Sequence, residues 1–427
     1  MEPTFRRTVD EHRETLRVLL SGPLSSLGTE SVPLADARGR TLAVELSAPR
    51  DLPPFDNSQM HGFAVRTADL APGGPLAVAR PIPAGAAAPA LPPGAAAPVM
   101  TGAMLPAGAD AVVPVEAADP PVFPDFVGGG SPYDGAATVR LPASHPAGRF
   151  VRRAGSDIAA GTAALAGGTR LGPAQLGLAA ALGVAELDVV RRPLALLIST
   201  GDEIAAPGSE LKPGQIHDAN TTLLRACLEQ AGWEVRPAGI SADDVADFVS
   251  SLAAELGAAD GPGFQLVLTS GGISKGAYEV VRLALAAHGV TFGSVALQPG
   301  GPQGSGLLEL PGARPVPVVA FPGNPVSSFV SFELFLRPAF APLIGLPHRR
   351  SVDATLAHSL AGSPNGKVQA RRGVYSPESG RVATVGGMES HLVHALARSN
   401  ALILIPCETT EVAAGATVET MLMGDES

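Results

Sequence analysis

The sequence predicts a mixed α/β plus all-β chain, in which a central parallel α/β sandwich domain carries separate small β domains. Three observations lead there. Between residues 172 and 345, continuous apolar runs alternate with helical patterns, as expected of strands buried on both faces and joined by crossover helices. From about 70 to 150, short β-like pieces sit among Pro, Ala and Gly, with no room for a helix of ordinary length, and residues 346 to 427 return to short β-like pieces such as Ala401 to Ile405. The chain has 427 residues, too many for one small domain.

Composition narrows the class of function. Apolar residues make 45% of the chain and charged residues 16%, so a sizeable core is available. The 50 Gly and 41 Pro are dispersed among apolar runs, which implies many turns in a folded protein rather than disorder. Two cysteines, Cys227 and Cys407, exclude a disulfide framework and a Cys-based zinc site. No apolar stretch follows a basic N-terminus, and no run reaches the roughly 18 apolar residues of a membrane helix. The expected location is cytoplasmic, with no membrane partner. A net charge of −10 argues against broad nucleic-acid binding, so local groups must hold any anionic ligand.

Taken in order, residues 1–22 read as an N-terminal helix packing on the α/β domain. Thr8-x-x-Glu11 is a capping-box pattern, and Gly22-Pro23 is the expected stop. Residues 23–47 and 145–171 are assigned to a small linker α/β domain. Residues 48–144 form a β-barrel-like domain, with Phe126 to Gly135 a loop by composition. The α/β domain spans 172–345. Its expected strands are Leu194 to Ser199, Glu234 to Ile240, Phe264 to Leu268, Thr291 to Leu297 and Val316 to Phe321. Its helices are Asn220 to Ala231, one capped by Ser241 with Asp244 three later, one after Gly276, and Val326 to Leu336. Residues 346–427 form a C-terminal β-barrel domain.

In an open parallel sheet, ligands bind beyond the carboxyl ends of the strands. Three marked loops fall there: Thr200-Gly201-Asp202-Glu203, Ser270-Gly271-Gly272-Ile-Ser274-Lys275-Gly276, and Pro322-Gly323-Asn324-Pro325. The second follows a strand and opens a helix, the arrangement that holds anions; a plain connector is the alternative. Asn324 as N-cap and Pro325 at the first helical position prepare another anion-accepting helix start. Asp202 and Glu203 suit Mg²⁺ beside phosphates, or cap the loop exit. Asp56-Asn57-Ser58 with Met60-His61-Gly62 packs many hydrogen-bonding groups into one turn, which Asx-turn chemistry also explains. Arg371-Arg372 and Ser390-His391 can supply anion contacts or stand solvated. Arg152, Arg153 and Asp157 read as a surface ion-pair turn.

Together these motifs resemble the molybdopterin molybdenumtransferase family (MoeA, and the E domain of gephyrin-type proteins). The carrying residues are Phe55 to Val65, Met100-Thr101-Gly102, Ala109 to Glu116, Arg152 to Ile158, Ser199 to Glu203, Gln215 to Asn220, Thr269 to Ser274 and Pro322 to Ser327, in the family's order. The resemblance implies an elongated four-domain homodimer whose molybdopterin/nucleotide-binding α/β domain takes adenylylated molybdopterin. It further implies molybdate insertion with release of AMP, assisted by Mg²⁺ or another divalent cation. By position it implies His61, Thr101, Glu203 and Asp243 as catalytic. Substrate binding falls to Ser58, Ser199, Thr200, Gly201, Ser270, Gly271, Gly272, Ser274, Lys275, Pro299, Pro322, Gly323, Asn324, Pro325, Arg371 and Ser390. Metal binding falls to Asp202, Glu203 and Glu279.

The chain departs from the family pattern at three places. His61 stands where the family typically has Asp, Gly301 where it has Lys, and Glu279 where it has Asp. The alternative function is therefore a catalytically weakened paralogue that binds molybdopterin or nucleotide, or scaffolds other enzymes of the same pathway.

Overall fold

The computed structural model describes residues 5–70, 74–123, 137–201, 203–239, 245–258, 263–273, 280–363 and 366–424. The expected loop Phe126 to Gly135 and the Ser241/Asp244 cap lie outside the described residues. The chain forms two compact units, Ser31–Val189 and Met1–Glu30 with Val190–Ser427.

The second of these is built on a seven-stranded sheet. In chain order its strands are β1 (Phe5–Arg7), β2 (Leu194–Ser199), β3 (Glu234–Ala238), β4 (Leu266–Ser270), β5 (Val290–Val295), β6 (Pro302–Leu308) and β7 (Val316–Phe321). Their spatial order is β1-β5-β6-β7-β4-β2-β3. All neighbours are parallel except β6, which runs antiparallel between β5 and β7. The strands expected from the sequence do not include β6, which carries Gly304 and Gly306. Tertiary packing demands both glycines. A Cβ at Gly304 would lie 2.5 Å from the Phe292 ring, and one at Gly306 would lie 2.3 Å from the Gly289 carbonyl.

Alternate strand residues feed opposite faces. Ala195, Leu197, Leu268, Val319 and Phe321 pack with α1 (Val9–Ser25), α2 (Asn220–Gln230) and α5 (Pro325–Ser331). Leu196, Ile198, Val267, Val318 and Ala320 pack with α3 (Val245–Gly257) and α4 (Val280–Ala286). Each fully buried Leu, Val or Phe contributes roughly 1.5–3 kcal/mol relative to exposure, so this α/β/α sandwich is the main source of the unit's stability.

Helix α1 starts as the sequence reading expects. Glu11 N–H donates to Thr8 Oγ1 at 3.2 Å, and Thr8 N–H donates to Glu11 Oε2 at 2.8 Å. It does not stop at Gly22-Pro23, however, but continues to Ser25. Pro23 forfeits one N–H in the last turn, where Ser25 Oγ donates to the Gly22 carbonyl at 2.9 Å, and Leu24 is buried in the core. Beyond α5 the chain makes one π-helical segment, Phe332–Leu336, and then helix Arg337–Phe340.

The C-terminal part closes into a ring. Strands β8 (Ser351–Leu356), β9 (Val368–Ser376), β10 (Arg381–Thr384), β11 (Ala401–Ile405) and β12 (Thr417–Leu422) run β9-β10-β8-β12-β11, and β11 pairs back onto β9. Closure leaves no free edge among them. The pair Leu297–Gln298 runs parallel to Val368 and Gln369, tying this barrel to the chain after β5.

The other unit, Ser31–Val189, holds a five-stranded sheet ordered Ala111–Pro114, Gly62–Val65, Ala95–Val99, Leu76–Val78, Thr138–Val139. Both of its faces are apolar: Phe63, Val65 and Val113 fill one core, Ala64, Val99 and Val112 another. A separate small core joins Ala37, Leu42, Leu171, Ala179, Leu187 and Val189. Helix Pro173–Ala181 therefore packs here and not on the seven-stranded sheet, although the sequence reading begins the α/β domain at 172.

Candidate functional site

The carboxyl ends of β2, β4 and β7 lie side by side. Ser199 is paired with Ser270, and Ser270 with Phe321, so the three marked loops leave the sheet together. Thr200 N–H donates to the Ser270 carbonyl at 3.2 Å, and Gly271 N–H donates to the Phe321 carbonyl at 3.2 Å. Gly271 and Gly272 take φ of +97° and +65°. A Cβ at Gly271 would lie 2.5 Å from Thr200 O, and Gly323 comes within 3.4 Å of the Gly271 Cα when given a Cβ. Glycine is required here by both conformation and space.

Hydroxyls and amides line the floor of this crevice. Ser270 is buried, and its Oγ donates to the Pro322 carbonyl at 3.3 Å and lies 3.3 Å from Ser328 Oγ. Ser328 Oγ donates to the same carbonyl at 2.6 Å. Thr200 Oγ1 and Asn220 Oδ1 are buried and meet no partner among the described residues, which leaves two polar atoms for a ligand. The α5 start offers less than expected. Asn324 is the N-cap without a side-chain cap bond, and Val326 N–H is taken by the Ser390 carbonyl at 3.3 Å. Ser390 thus reaches the site through its main chain.

Sequence reasoning left Asp218 and Asn220 out of the site, although both stand in the Gln215 to Asn220 motif. Asp218 accepts from Ser199 Oγ at 3.3 Å, Thr221 N–H at 3.0 Å and Thr221 Oγ1 at 2.6 Å, joining the β2 end to the start of α2. Asn220 Nδ2 donates to the Gly323 carbonyl at 2.6 Å, tying α2 to the Pro-Gly-Asn-Pro turn. The Asp218–Thr221 contacts are a local cap that the Asp-x-x-Thr spacing signals, whereas Asn220 depends on a partner 103 residues away, to which only the motif itself points.

The loop after β5 carries Pro299, Gly300 and Gly301. Because β5 and β7 both run antiparallel to β6, this loop opens at the same sheet edge as the crevice. Gly300 has φ +107°, and its carbonyl accepts from Gln303 Nε2 at 2.8 Å. In the barrel, Arg371 is half-buried. Desolvation lowers its pKa, with Glu389 opposing. Arg372 is buried and donates to the Glu389 carbonyl at 3.1 Å and to the Gly387 carbonyl.

In the Ser31–Val189 unit, a second cluster forms. His61 Nδ1 accepts from Thr101 N–H at 3.2 Å, and both side chains are exposed. Ser58 is fully buried beneath them. Its Oγ donates to the Met60 carbonyl at 2.5 Å, and its carbonyl accepts from Gly102 N–H at 2.8 Å. The charged turn pairs differently from the expectation. Arg153 Nη1 meets Asp56 Oδ2 at 2.6 Å, and Ala154 N–H donates to Asp56 Oδ1 at 2.8 Å. The Ala154 N–H first, and then Arg153, hold Asp56 below the usual carboxylate range.

Among the described residues, no three His, Cys, Asp or Glu side chains gather into a metal cluster. Mg²⁺ needs only one or two carboxylates beside waters and phosphate oxygens. Glu203 fits that requirement: its side chain is exposed and folds back over Gly201, where a Cβ would lie 2.6 Å from Glu203 Oε2. Asp202, Asp243, Ser274, Lys275 and Glu279 lie outside the described residues.

Three family models cover the chain in sequence. They are the MoeA N-terminal region (domain I and II) at residues 7–183, a probable molybdopterin binding domain at 196–342, and the MoeA C-terminal region (domain IV) at 354–423. Molybdopterin molybdenumtransferase 2 of Mycobacterium tuberculosis is 42% identical over 426 residues, covering 96% of this chain and 98% of its own. The Haemophilus influenzae molybdopterin molybdenumtransferase is 34% identical over 422 residues, covering 96% and 97%. The crystal structure of a molybdopterin biosynthesis MoeA protein from Pyrococcus horikoshii superposes with a TM-score of 0.78 at 28% identity, over 98% of this chain and 100% of that one. With likeness over nearly the full length of each relative, the chain belongs to the molybdopterin molybdenumtransferase (MoeA) family.

Proposed function

We propose that this chain inserts molybdate into adenylylated molybdopterin and releases AMP. The observation that supports this most directly is the crevice at the β2, β4 and β7 ends, where Gly271 and Gly272 let the loop after β4 pack against Thr200 and two buried polar atoms await a partner. Main-chain N–H groups and hydroxyls at such a sheet edge suit the phosphates of a nucleotide. Glu203, with Asp202, would hold Mg²⁺, which when bound neutralises charge on the departing phosphate. His61 and Thr101 supply an imidazole N–H and a hydroxyl side by side, suited to orienting an oxyanion. The working form is a homodimer in the cytoplasm, in which the turn bearing Ser58 and His61 serves the crevice of the other subunit.

The test supplies adenylylated molybdopterin, Mg²⁺ and molybdate and follows AMP. Molybdate-dependent AMP release is the expected result. Saturable binding without release, under conditions where another family member turns over, would instead establish a binding paralogue. Sedimentation showing a stable monomer would remove the shared-site arrangement.

A further inference from the structure

One buried polar chain lies behind the loop after β5. His12, on α1, is fully buried, stacked on Phe5 at 5.9 Å and edge-on to Phe335 at 5.0 Å. Its Nδ1 lies 3.4 Å from Arg7 Nη1. A guanidinium only donates, so Nδ1 must accept and the neutral ring carries its proton on Nε2. Desolvation first, and then Arg7, lower the His12 pKa to about 3, with Gln303 facing the ring and opposing. The ring is therefore neutral.

Gln303, on β6, is also buried, and its Nε2 is committed to the Gly300 carbonyl at 2.8 Å and Ser331 Oγ at 2.8 Å. That fixes the amide orientation and leaves Oε1 for the ring. His12 Nε2 and Gln303 Oε1 are fully enclosed, and neither makes a hydrogen bond among the described residues, although the Gln303 side chain faces the ring; a small shift of either closes the bond between them. One is a donor and the other an acceptor. The sheet makes room for the pair: Phe5, Gly293 and Gln303 sit in one row across β1, β5 and β6. A Cβ at Gly293 would lie 2.5 Å from the Phe5 ring. Beyond Gln303, Gly300 is pressed onto α5, where a Cβ would lie 3.1 Å from Ser331 Oγ and 3.4 Å from Ser327 O.

We propose that His12 and Gln303 are positioning residues for the Pro299–Gly301 loop, His12 Nε2–H donating to Gln303 Oε1 so that the amide clamps Gly300 to Ser331. The loop's work on substrate rests on the function proposed above; the clamp itself does not. A glycine-rich loop carrying no lysine has no side chain of its own to hold it, so its shape is set from behind. The chain of contacts runs from Arg7 on the edge strand to the sheet edge where the crevice opens.

Three readouts test it. In protein labelled with ¹⁵N-histidine, the His12 ring signals should report the Nε2–H tautomer at neutral pH. Gln303→Leu and His12→Leu should each speed backbone hydrogen exchange in peptide 296–301 by about tenfold, the size of one lost hydrogen bond, and leave Val316–Phe321 unchanged. His12→Gln, which can still present a donor to Gln303, should restore slow exchange. In the AMP-release assay, Gln303→Leu should raise KM for adenylylated molybdopterin while kcat stays within about twofold. An Nδ1–H or cationic His12, or unchanged loop exchange in folded Gln303→Leu, overturns the proposal. If the wild-type chain releases no AMP, the function proposed above fails, and the tautomer and exchange readouts still decide this one.

Discussion

His61 Nδ1 accepts the backbone N–H of Thr101 at 3.2 Å, so two residues forty positions apart in the chain act as one group. The contact fixes the imidazole as the Nε2–H tautomer and leaves that N–H and the Thr101 hydroxyl at the surface of the turn. An aspartate at the same position could accept the same N–H through a carboxylate oxygen. The His in place of Asp thus preserves the turn while changing the charge it presents.

His61→Ala is expected to change stability by no more than about 0.5 kcal/mol, because the side chain is exposed. It should lower AMP release by about 10²-fold, the scale of a lost oxyanion-holding donor. His61→Asp with Gly301→Lys should raise release above wild type. A Cβ at Gly301 would lie 3.3 Å from Leu297 O, so lysine needs only a small adjustment there. Thermal melts and AMP chromatography check both, and a slower double variant would show that neither departure limits turnover.

Glu203→Ala should weaken Mg²⁺-dependent AMP release by about 10²-fold or more and nucleotide affinity much less, since a metal acts chiefly on developing charge. Its backbone carbonyl, which accepts from Ile216 N–H at 2.7 Å, is untouched by the substitution. Equal losses in titration calorimetry and turnover would mark Glu203 as a structural cap only.

Gly271→Ala meets two obstacles, a φ of +97° and a Cβ placed 2.5 Å from Thr200 O. The expected cost is about 1–3 kcal/mol in denaturant unfolding, together with loss of nucleotide binding. Gly312→Ala, with φ +79° and nothing within 4 Å of its Cβ, is the control for conformational strain alone.

Acid should destabilise the fold through His12. Its folded pKa of about 3 lies below its ordinary 6.5. The unfolded chain takes up the proton as pH falls through 6.5, whereas the folded chain does not, so stability present above 6.5 declines towards pH 3. The decline attributable to this one group is on the order of 5 kcal/mol. His12→Phe should flatten that part of the pH dependence of unfolding, at some cost in the core.

The α/β core was legible because its strands are continuous apolar runs. Leu194 to Ser199 and Val316 to Phe321 leave few readings other than strands buried on both faces. The capping box at Thr8 and Glu11 was legible for a similar reason, its chemistry being local. So were the three marked loops, since Gly, Pro and Asn declare backbone geometry in the sequence itself.

What the tertiary structure alone decided involves residues with no local reason to be where they are. The β6 strand, with glycines where propensity asks for β-branched residues, exists because Phe292 and the Gly289 carbonyl occupy the space a side chain would need. Arg153 pairs with Asp56 across 97 residues rather than within its own turn. Asn220 reaches Gly323, and His12 comes to face Gln303, because sheet order, not sequence order, sets those neighbours. Short-range chemistry is written in spacing, but partners brought together by strand pairing appear only when the sheet closes.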